Sequence, residues 1–377
     1  MPLSVVWKMR CTLLWPDRKR IHRVPNFNAN SNGDFNWNLG NFENPWGVSD
    51  AVLCFRDRLD FSHSICEWEF CLRYLFSNHK KDVMAFELQL ADNIVPLYEE
   101  LRNKTYKHGE YSSFNISDPK PRNIHKASVK DRIVHHLIYK ELYHYFDIRF
   151  IYDSYSCREY KGTHRAIDRF REFAGKVSKN YTRQCYVLKC DIRKFFATIN
   201  QNILINILNR HIEDIEIKKL ICEVIRSFHT TQVGIGLPLG NLTSQLLVNI
   251  YMHEFDMYMK QELKVQYYIR YADDFVVLSE DKQYLKTLLV KIDIFLRDRL
   301  HLSLHPDKVF IKTYSSGVDF LGWIHFSKHK VIRTATKRKI IKNVSWYPRP
   351  ETKNFYCGLL GHGDTYKIQK RLQLTNY

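Results

Sequence analysis

The chain has 377 residues, of which 45% are apolar and 14% aromatic, so it is not a disordered tail and can form two or three packed subdomains. Its 58 Lys and Arg against 40 Asp and Glu give a formal charge of +18, which favours a polyanionic partner, although some basic proteins bind no polyanion. The nine cysteines are scattered and form no CxxC pair, which argues against a disulfide-rich or zinc-binding protein. No apolar run approaches about 18 residues and no signal-peptide pattern is present, which argues against membrane and secreted proteins. These observations favour a cytoplasmic protein.

The beginning of the chain differs in composition from the rest. Asparagine alternates with Phe, Trp and Gly in "NFNANSNGDFNWNLGNFENPW", at positions 26, 28, 30, 32, 36, 38, 41 and 44. This segment has neither the helical nor the strand period of apolar residues. We therefore predict irregular structure for it.

From Phe55 onward the apolar pattern turns helical, and strand-like segments follow further along the chain. A strand-like pair is expected around "YSSFNISDPKPRNIHKAS", where Pro and Asp mark the turn. The last fifty or so residues are basic and predicted to be mostly helical. The predicted helices cover 62–78, 83–103, 129–150, parts of 200–228 and 240–262, and 281–299; the predicted strands cover 185–192, a hairpin at 267–280, 309–314 and 319–326.

Three acidic residues stand at the ends of predicted strands. Asp191 closes the apolar run "YVLKCD", and Asp273 and Asp274 lie at the tip of the hairpin "YYIRYADDFVVLSE". Carboxylates crowded together repel each other, and divalent metal ions relieve that repulsion. Two such ions also suit an in-line phosphoryl displacement. The alternative is that Asp273 and Asp274 are ordinary turn residues, because Asp favours turns.

Several motifs in chain order resemble those of reverse transcriptases. "YADD" is similar to the catalytic box of that family, and Asp191 to its first catalytic acid. "RNIHKASVKDRIVHH" and "SYSCREYKGTHRAI" resemble finger motifs of bacterial reverse transcriptases related to group II introns, while "LSLHPDKVFI" and "FLGW" resemble a later palm motif and the primer grip. The resemblance implies a right-hand polymerase of fingers, palm and thumb. The fold class would be α+β, with an antiparallel-sheet palm that carries the YADD hairpin and with a helical thumb.

The resemblance also implies roles for residues around the three acids. Asp191, Asp273 and Asp274 would bind two Mg²⁺ ions, or Mn²⁺, together with the backbone carbonyl of Ile192. Phe196 matches the aromatic gate that excludes a ribose 2′-hydroxyl.

Three cations match functional positions of the family. Arg122 and the nearby Lys120 match the finger cations that hold the triphosphate, where Arg supplies a bidentate fork and Lys a point charge. Lys308 matches the residue that protonates the pyrophosphate leaving group as a general acid. The alternative for each is a solvated surface charge.

The segment "GIGLPLGNLTSQ" departs from the usual family box of Gln-Gly-x-x-x-Ser-Pro. Gly240 and Ser244 align with that box, but Leu239 stands at the Gln position and Gln245 at the Pro position. This variant resembles reverse transcriptases of diversity-generating retroelements, which copy a template-repeat RNA with errors at adenines for mutagenic retrohoming into a variable gene. An apolar Leu239 cannot hydrogen-bond the nucleotide sugar, which is expected to weaken discrimination by about 1 kcal/mol or more. The alternative is that Leu239 only packs a variant core.

The family implies further partners and a division of the chain. Expected partners are dNTPs, an RNA template, a DNA or RNA primer, the RNA–DNA duplex and a small basic accessory protein, without a membrane. We expect residues 1–55 to be an Asn-rich segment, 56–325 to be fingers and palm, and 326–377 to be a basic, thumb-like region. The Asn-rich segment resembles a variable region rich in adenine-containing codons, so it is either translated template-repeat sequence or an ordered loop region.

Two other functions remain open at this level. The first is an ordinary-fidelity reverse transcriptase of a group II intron, a retron or a phage-defence system. The second is a catalytically idle RNA-binding protein on the same scaffold.

Overall fold

The structure is a computed structural model that describes residues 80–117 and 121–372. The predicted helix at 62–78, the Asn-rich segment and Lys120 lie outside these residues. The described chain falls into two compact units. The first contains the described residues up to 148 together with 199–250, and the second contains 149–198 together with 251–372.

The first unit combines helices with a small antiparallel hairpin of β1 and β2, in which Ser112 pairs with Lys126 and Ile116 with Arg122. Helix α3 begins after Ser128, whose side chain accepts a hydrogen bond from the Asp131 N–H, a typical N-cap. The elements of this unit are α1 (Lys81–Leu88), α2 (Leu90–Arg102), β1 (Ser112–Ile116), β2 (Arg122–Lys126), α3 (Val129–Asp147), α6 (Gln201–Asn209), α7 (Ile215–Arg226) and the first part of α8 (Leu242–Met257).

The single helix predicted over 83–103 is wrong in one respect, because α1 and α2 are separate. The chain leaves helical geometry at Gln89, with φ of −117° and ψ of 40°. Asn93 Nδ2 donates to the carbonyl of Phe86 at 3.0 Å and so satisfies a carbonyl in the last turn of α1. The hydrophobic period continues across this break, which is why the pattern alone did not reveal it.

The second unit is built around a four-stranded antiparallel sheet with the order β4-β5-β3-β6. The two central strands, β3 and β5, are each buried along four consecutive residues, as expected when both faces of a strand are covered. Phe170, Phe173 and Ala174 of α4 belong to the same buried cluster as Val187, Ile269 and Val276 of the sheet. The elements are α4 (Thr163–Val177), β3 (Tyr186–Asp191), α5 (Phe195–Thr198), β4 (Tyr268–Tyr271), β5 (Asp274–Ser279), α9 (Lys282–Leu300) and β6 (Phe310–Thr313).

The predicted strand over 319–326 is instead a hairpin. Leu321 and Gly322 have φ of 48° and 90° and connect β7 to β8, as in the tight turns that suit a twisted pair of strands. The strands are β7 (Val318–Phe320), β8 (Trp323–His325) and β9 (Lys330–Ile332), in that order in a separate three-stranded sheet.

The end of the chain is mostly helical within the described residues, as predicted. Helices α10 (Thr334–Trp346), α11 (Pro350–Leu360) and α12 (Tyr366–Arg371) contribute Ile340, Leu360 and Ile368 to a buried cluster that also contains Trp323. Gly363 lies so close to Trp323 that a Cβ added there would be 2.1 Å from the indole ring.

Together, these elements confirm the predicted mixture of helices with antiparallel sheet. No helix within the described residues is long and apolar enough to cross a membrane.

Candidate active site

Pairing of β3 with β5 brings two of the predicted acids face to face. Asp191, the last residue of β3, is directly opposite Asp274, the first residue of β5. Side chains at directly opposite positions of an antiparallel pair lie on the same face of the sheet, with their Cβ atoms about 5 Å apart. Asp273 and Ala272 connect β4 to β5, and the Ile192 N–H donates to the Asp273 carbonyl at 3.2 Å, which fixes the turn to the end of β3.

Two lysines lie against these acids. Lys189 Nζ is 3.1 Å from Asp274 Oδ2, and Lys308 Nζ is 2.8 Å from Asp191 Oδ1. Like charges directly opposite each other destabilise a sheet, so each lysine offsets one carboxylate of the pair. Burial is the main reason that the pKa of Asp274 is raised to about 6; Lys189 acts in the opposite direction, while Asp273 and Asp191 add to the rise.

One oxygen of this pair favours a bound cation. Asp274 Oδ1 is buried without a hydrogen-bond partner, which is costly unless another ligand satisfies it. An oxygen-seeking divalent ion would do so, and the opposing Asp191 carboxylate suits the same ligand. In the part of the chain that the structure describes, no three His, Cys, Asp or Glu side chains converge as a metal-binding group. The predicted four-ligand set with Asp273 and Ile192 therefore stays a prediction.

The other residues predicted around the acids belong to the same unit. Lys308 ends a short 3₁₀ turn, Pro306–Lys308, and its contact with Asp191 places its ammonium group at the acid site. Ile192 is buried and forms an isolated bridge with Leu304. Phe196 lies half-buried on α5, and the centroids of its ring and the Phe195 ring are 5.7 Å apart in an edge-to-face arrangement.

The remaining predicted residues belong to the first unit, on two segments that are joined to each other. The His125 N–H of β2 donates to the Leu239 carbonyl at 2.9 Å, and Asn241 Nδ2 donates to the His125 carbonyl at 2.7 Å. Gly240 has a φ of +108°, and a Cβ there would be 2.6 Å from Ile124 Cγ2, so only glycine fits this approach. Arg122 begins β2 with an exposed side chain.

Leu239 and Gln245, the two residues that depart from the usual family box, both belong to the first unit. Leu239 is half-buried just before helix α8, and Gln245, the fourth residue of that helix, is half-buried as well. The buried Ser244 lies beside Gln245 on the same helix.

Sequence reasoning missed two residues of these sites. Lys189 precedes Asp191 by two positions on a strand, so the strand period already put both on one face. Asn241 directly follows Gly240, and its side chain bridges to β2 through His125 and through the Ala127 N–H at 3.4 Å. Its role depends on a strand that is distant in the sequence, and no local pattern indicated it.

Two facing carboxylates with a third in the adjoining turn would suit the binding of metal ions for phosphoryl chemistry. Residues 111–325, more than half of the chain, match the family model described as "Reverse transcriptase (RNA-dependent DNA polymerase)". The chain therefore belongs to the reverse transcriptase family. This membership, together with the α+β architecture, confirms the predicted fold class of a right-hand polymerase.

Relatives by sequence include proteins encoded by group II introns. The chain is 25% identical to Protein YkfC of Escherichia coli (strain K12), over 64% of the chain and 71% of that protein. It is 24% identical to the Group II intron-encoded protein LtrA of Lactococcus lactis subsp. cremoris, over 45% of the chain and 38% of that protein. Among solved structures, apo telomerase from Candida tropicalis truncated from the C-terminal domain shares 14% identity with a TM-score of 0.45, over 60% of this chain and 55% of that one. The chain thus spans less than two thirds of the intron-encoded relative and of the telomerase.

Proposed function

We propose that the protein is an RNA-directed DNA polymerase and that its active site is the acid pair Asp191 and Asp274 with Asp273 in the turn. The observation that carries this proposal is the β3–β5 register, which sets Asp191 opposite Asp274 in a chain of the reverse transcriptase family. An idle RNA-binding protein would not need a pair of facing carboxylates, each with its own lysine.

The residues of the site suit nucleotidyl transfer. Asp191 and Asp274, with Asp273 and the Ile192 carbonyl, would hold two Mg²⁺ ions, or Mn²⁺, and the bound ions would stabilise charge on the attacking and leaving oxygens. Lys308 carries its ammonium group at Asp191 and is proposed to donate a proton to the leaving pyrophosphate. Phe196 is proposed to exclude a ribose 2′-hydroxyl.

We further propose that the segment joined to β2 binds the incoming nucleotide. Leu239 and Arg122 belong to two segments that are held side by side by one main-chain hydrogen bond and by the Asn241 side chain. Arg122, with Lys120, would hold the triphosphate, whereas Leu239, Gly240 and Gln245 would face the sugar and the template base.

The finer proposal is an error-prone enzyme of a diversity-generating retroelement, making cDNA from a template-repeat RNA. It is supported by Leu239 and Gln245 in place of the usual Gln and Pro. Its partners would be the RNA template with a DNA or RNA primer, dNTPs and a small basic accessory protein. The similarity to LtrA favours a second candidate, an ordinary-fidelity enzyme of group II intron type.

Primer extension tests the polymerase activity. The wild-type protein should extend a DNA primer on an RNA template with dNTPs and Mg²⁺, and Asp273→Ala should lose this activity while keeping its melting temperature. A wild-type protein that binds the primer–template without extending it would show that the scaffold is catalytically idle.

Sequencing of the extension products tests the error-prone mechanism. Leu239→Gln should lower misincorporation opposite template adenine by about fivefold, because the added amide can orient the nucleotide sugar with about 1 kcal/mol. Leu237→Met, at a buried position two residues earlier, is the matched control and should leave the spectrum unchanged. The same spectrum in Leu239→Gln and wild type would eliminate this mechanism.

The Asn-rich segment and the division at 55 and 325 remain proposals. If residues 1–50 are translated template-repeat sequence, a near-copy of codons 25–57 should occur elsewhere in the locus with mismatches at adenines. A chain lacking residues 1–50 should then keep its polymerase activity. Absence of any such copy from the flanking DNA would contradict this origin.

A further inference from the structure

A buried ion pair lies next to the YADD turn and takes no direct part in the proposed chemistry. The side chains of Arg270 on β4 and Asp256 on α8 are both fully buried. Arg270 Nε donates to Asp256 Oδ1 at 2.8 Å, and Nη2 donates to Asp256 Oδ2 at 2.6 Å, so the pair is bidentate. The hydroxyl of Tyr268 also donates to Asp256 Oδ1, at 2.7 Å.

The remaining donors of Arg270 reach the turn and a neighbouring segment. Nη1 donates to the carbonyl of Ala272 at 3.2 Å, and Nη2 donates to Ser154 Oγ at 3.1 Å. The main chain of Arg270 is engaged as well, because its N–H donates to the Asp153 carbonyl and its carbonyl accepts from the Tyr155 N–H, each at 3.0 Å. Apart from its contact with Ala272, Arg270 is therefore held by hydrogen bonds of both its side chain and its main chain.

Ala272 needs such a contact. Its φ of 54° lies in the left-handed region, which costs a residue with a Cβ about 1 kcal/mol or more. The neighbouring Asp273 carbonyl accepts from the Ile192 N–H at the end of β3. The turn is thus held at its first residue by Arg270 and at its second by β3.

Stability alone does not explain this arrangement. A buried ion pair often contributes no more to stability than apolar residues of the same volume, because both charges lose their hydration. Its rigid, directional geometry instead suits a positional role, because the planar guanidinium makes four hydrogen bonds to Asp256, Ser154 and Ala272, whereas an ammonium group has only three donors.

We propose that Arg270 is a positioning residue that holds the Ala272–Asp273 turn, and with it the acids Asp273 and Asp274, against the end of β3. This inference rests on the proposed polymerase function for its catalytic consequence. Its structural part, the fixing of the turn, can be measured without activity.

Arg270→Lys and Tyr268→Phe form a matched pair of variants. Both remove hydrogen bonds to Asp256, but only Arg270→Lys removes the contact with Ala272. Arg270→Lys should lower kcat for RNA-templated extension by about 100-fold, because reacting groups misplaced by about 1 Å lose that much. The KM for the dNTP should stay within about twofold, since the proposed nucleotide-binding residues are unchanged. Tyr268→Phe should lower the melting temperature and leave kcat within about twofold.

Hydrogen exchange of the metal-free protein reads the turn directly. The amide of Ile192 should exchange at least about tenfold faster in Arg270→Lys than in Tyr268→Phe, since its acceptor lies in the released turn. If Arg270→Lys does not fold, Ser154→Ala keeps the ion pair, removes one acceptor of the guanidinium and should show the same changes at smaller size.

Equal Ile192 exchange in the two variants, or activity losses that follow the melting temperatures alone, would overturn the positioning role. A wild-type protein without extension activity would refute the proposed function instead. In that case the exchange comparison would still decide whether Arg270 holds the turn.

Discussion

The acid site on β3 and β5 and the Leu239–Asn241 segment beside β2 are held in place by different forces. At the acid site, charges balance each other: Lys189 and Lys308 contact the two facing aspartates. The Leu239–Asn241 segment depends on one main-chain hydrogen bond from His125 to Leu239, on hydrogen bonds of the Asn241 side chain, and on the absence of a Cβ at Gly240. Activity at the acid site should therefore fall when a substitution removes a charge and keeps the side-chain size. The Leu239–Asn241 segment should instead be disturbed when a substitution adds atoms and leaves the charge unchanged.

The charge side of the comparison is tested at Lys308, a cation that contacts one of the two facing aspartates. Lys308→Met keeps much of the side-chain length and removes the ammonium group that contacts Asp191. If Lys308 protonates the leaving pyrophosphate, single-turnover nucleotide incorporation should fall by about 100-fold, the usual contribution of a general acid.

Lys312→Met is the matched control for that experiment. Lys312 is an exposed residue on β6 in the same unit, and its replacement removes the same charge away from the acids. An equal loss in both variants would show that only the net positive charge of the surface matters.

The shape side of the comparison is tested at Gly240. Gly240→Ala places a Cβ 2.6 Å from Ile124 Cγ2 at a φ of +108°, so β2 and the Leu239 segment must move apart. We expect the free energy of unfolding to fall by about 2 kcal/mol and incorporation to fall by about tenfold. Urea unfolding and single-turnover kinetics measure the two effects.

Gly358→Ala supplies the control, since a Cβ at this helical position meets no atom within 4 Å. This variant should be as stable as the wild type or more stable by about 0.5 kcal/mol. Wild-type behaviour of Gly240→Ala would mean that the Leu239 segment is not fixed by its contact with β2.

Both units should lose stability in acid. Burial lowers the pKa of His325 in the second unit to about 4 and that of His135 in the first unit to about 3. The unfolded chain binds a proton at each position near pH 6.5, so stability is fully present above that pH and falls as the pH drops toward 4.

Unfolding of His325→Gln measures the contribution of one unit. The variant should reduce the loss between pH 6.5 and 4 by about 1 to 3 kcal/mol, with His229→Gln at an exposed position as control. An unchanged pH dependence in His325→Gln would contradict a buried neutral imidazole at this position.

Much of the acid site could be predicted because its signals are local. Asp191 follows a run of apolar residues, and "YADD" interrupts another, so both strand ends were visible in the sequence. Which strands pair is a tertiary property, and so the contacts of Lys189 and Lys308 with the aspartates appeared only in the structure. The same limitation applies to Arg270, whose partner Asp256 lies on a different element.

The Leu239 segment was predictable in its composition and not in its surroundings. The departure from the family box could be identified from the sequence alone. The close approach of Gly240 to Ile124 and the hydrogen bond from Asn241 to His125, in contrast, join positions more than a hundred residues apart. The predicted element boundaries were wrong at two kinds of position. At the end of α1, the Asn93 side chain hydrogen-bonds the Phe86 carbonyl, and at Leu321 a positive φ angle reverses the chain between two strands.

The central claim is that the facing aspartates of β3 and β5 catalyse RNA-templated DNA synthesis. Its most direct test is incorporation of a single dNTP on an RNA template by the wild type and by Asp274→Asn, which removes one charge of the pair at nearly constant shape. We expect incorporation by the wild type and a loss of at least about a thousandfold in the variant, the scale expected when charge stabilisation at a reacting centre is lost. Equal incorporation by both proteins would contradict the assignment of this acid pair as the active site.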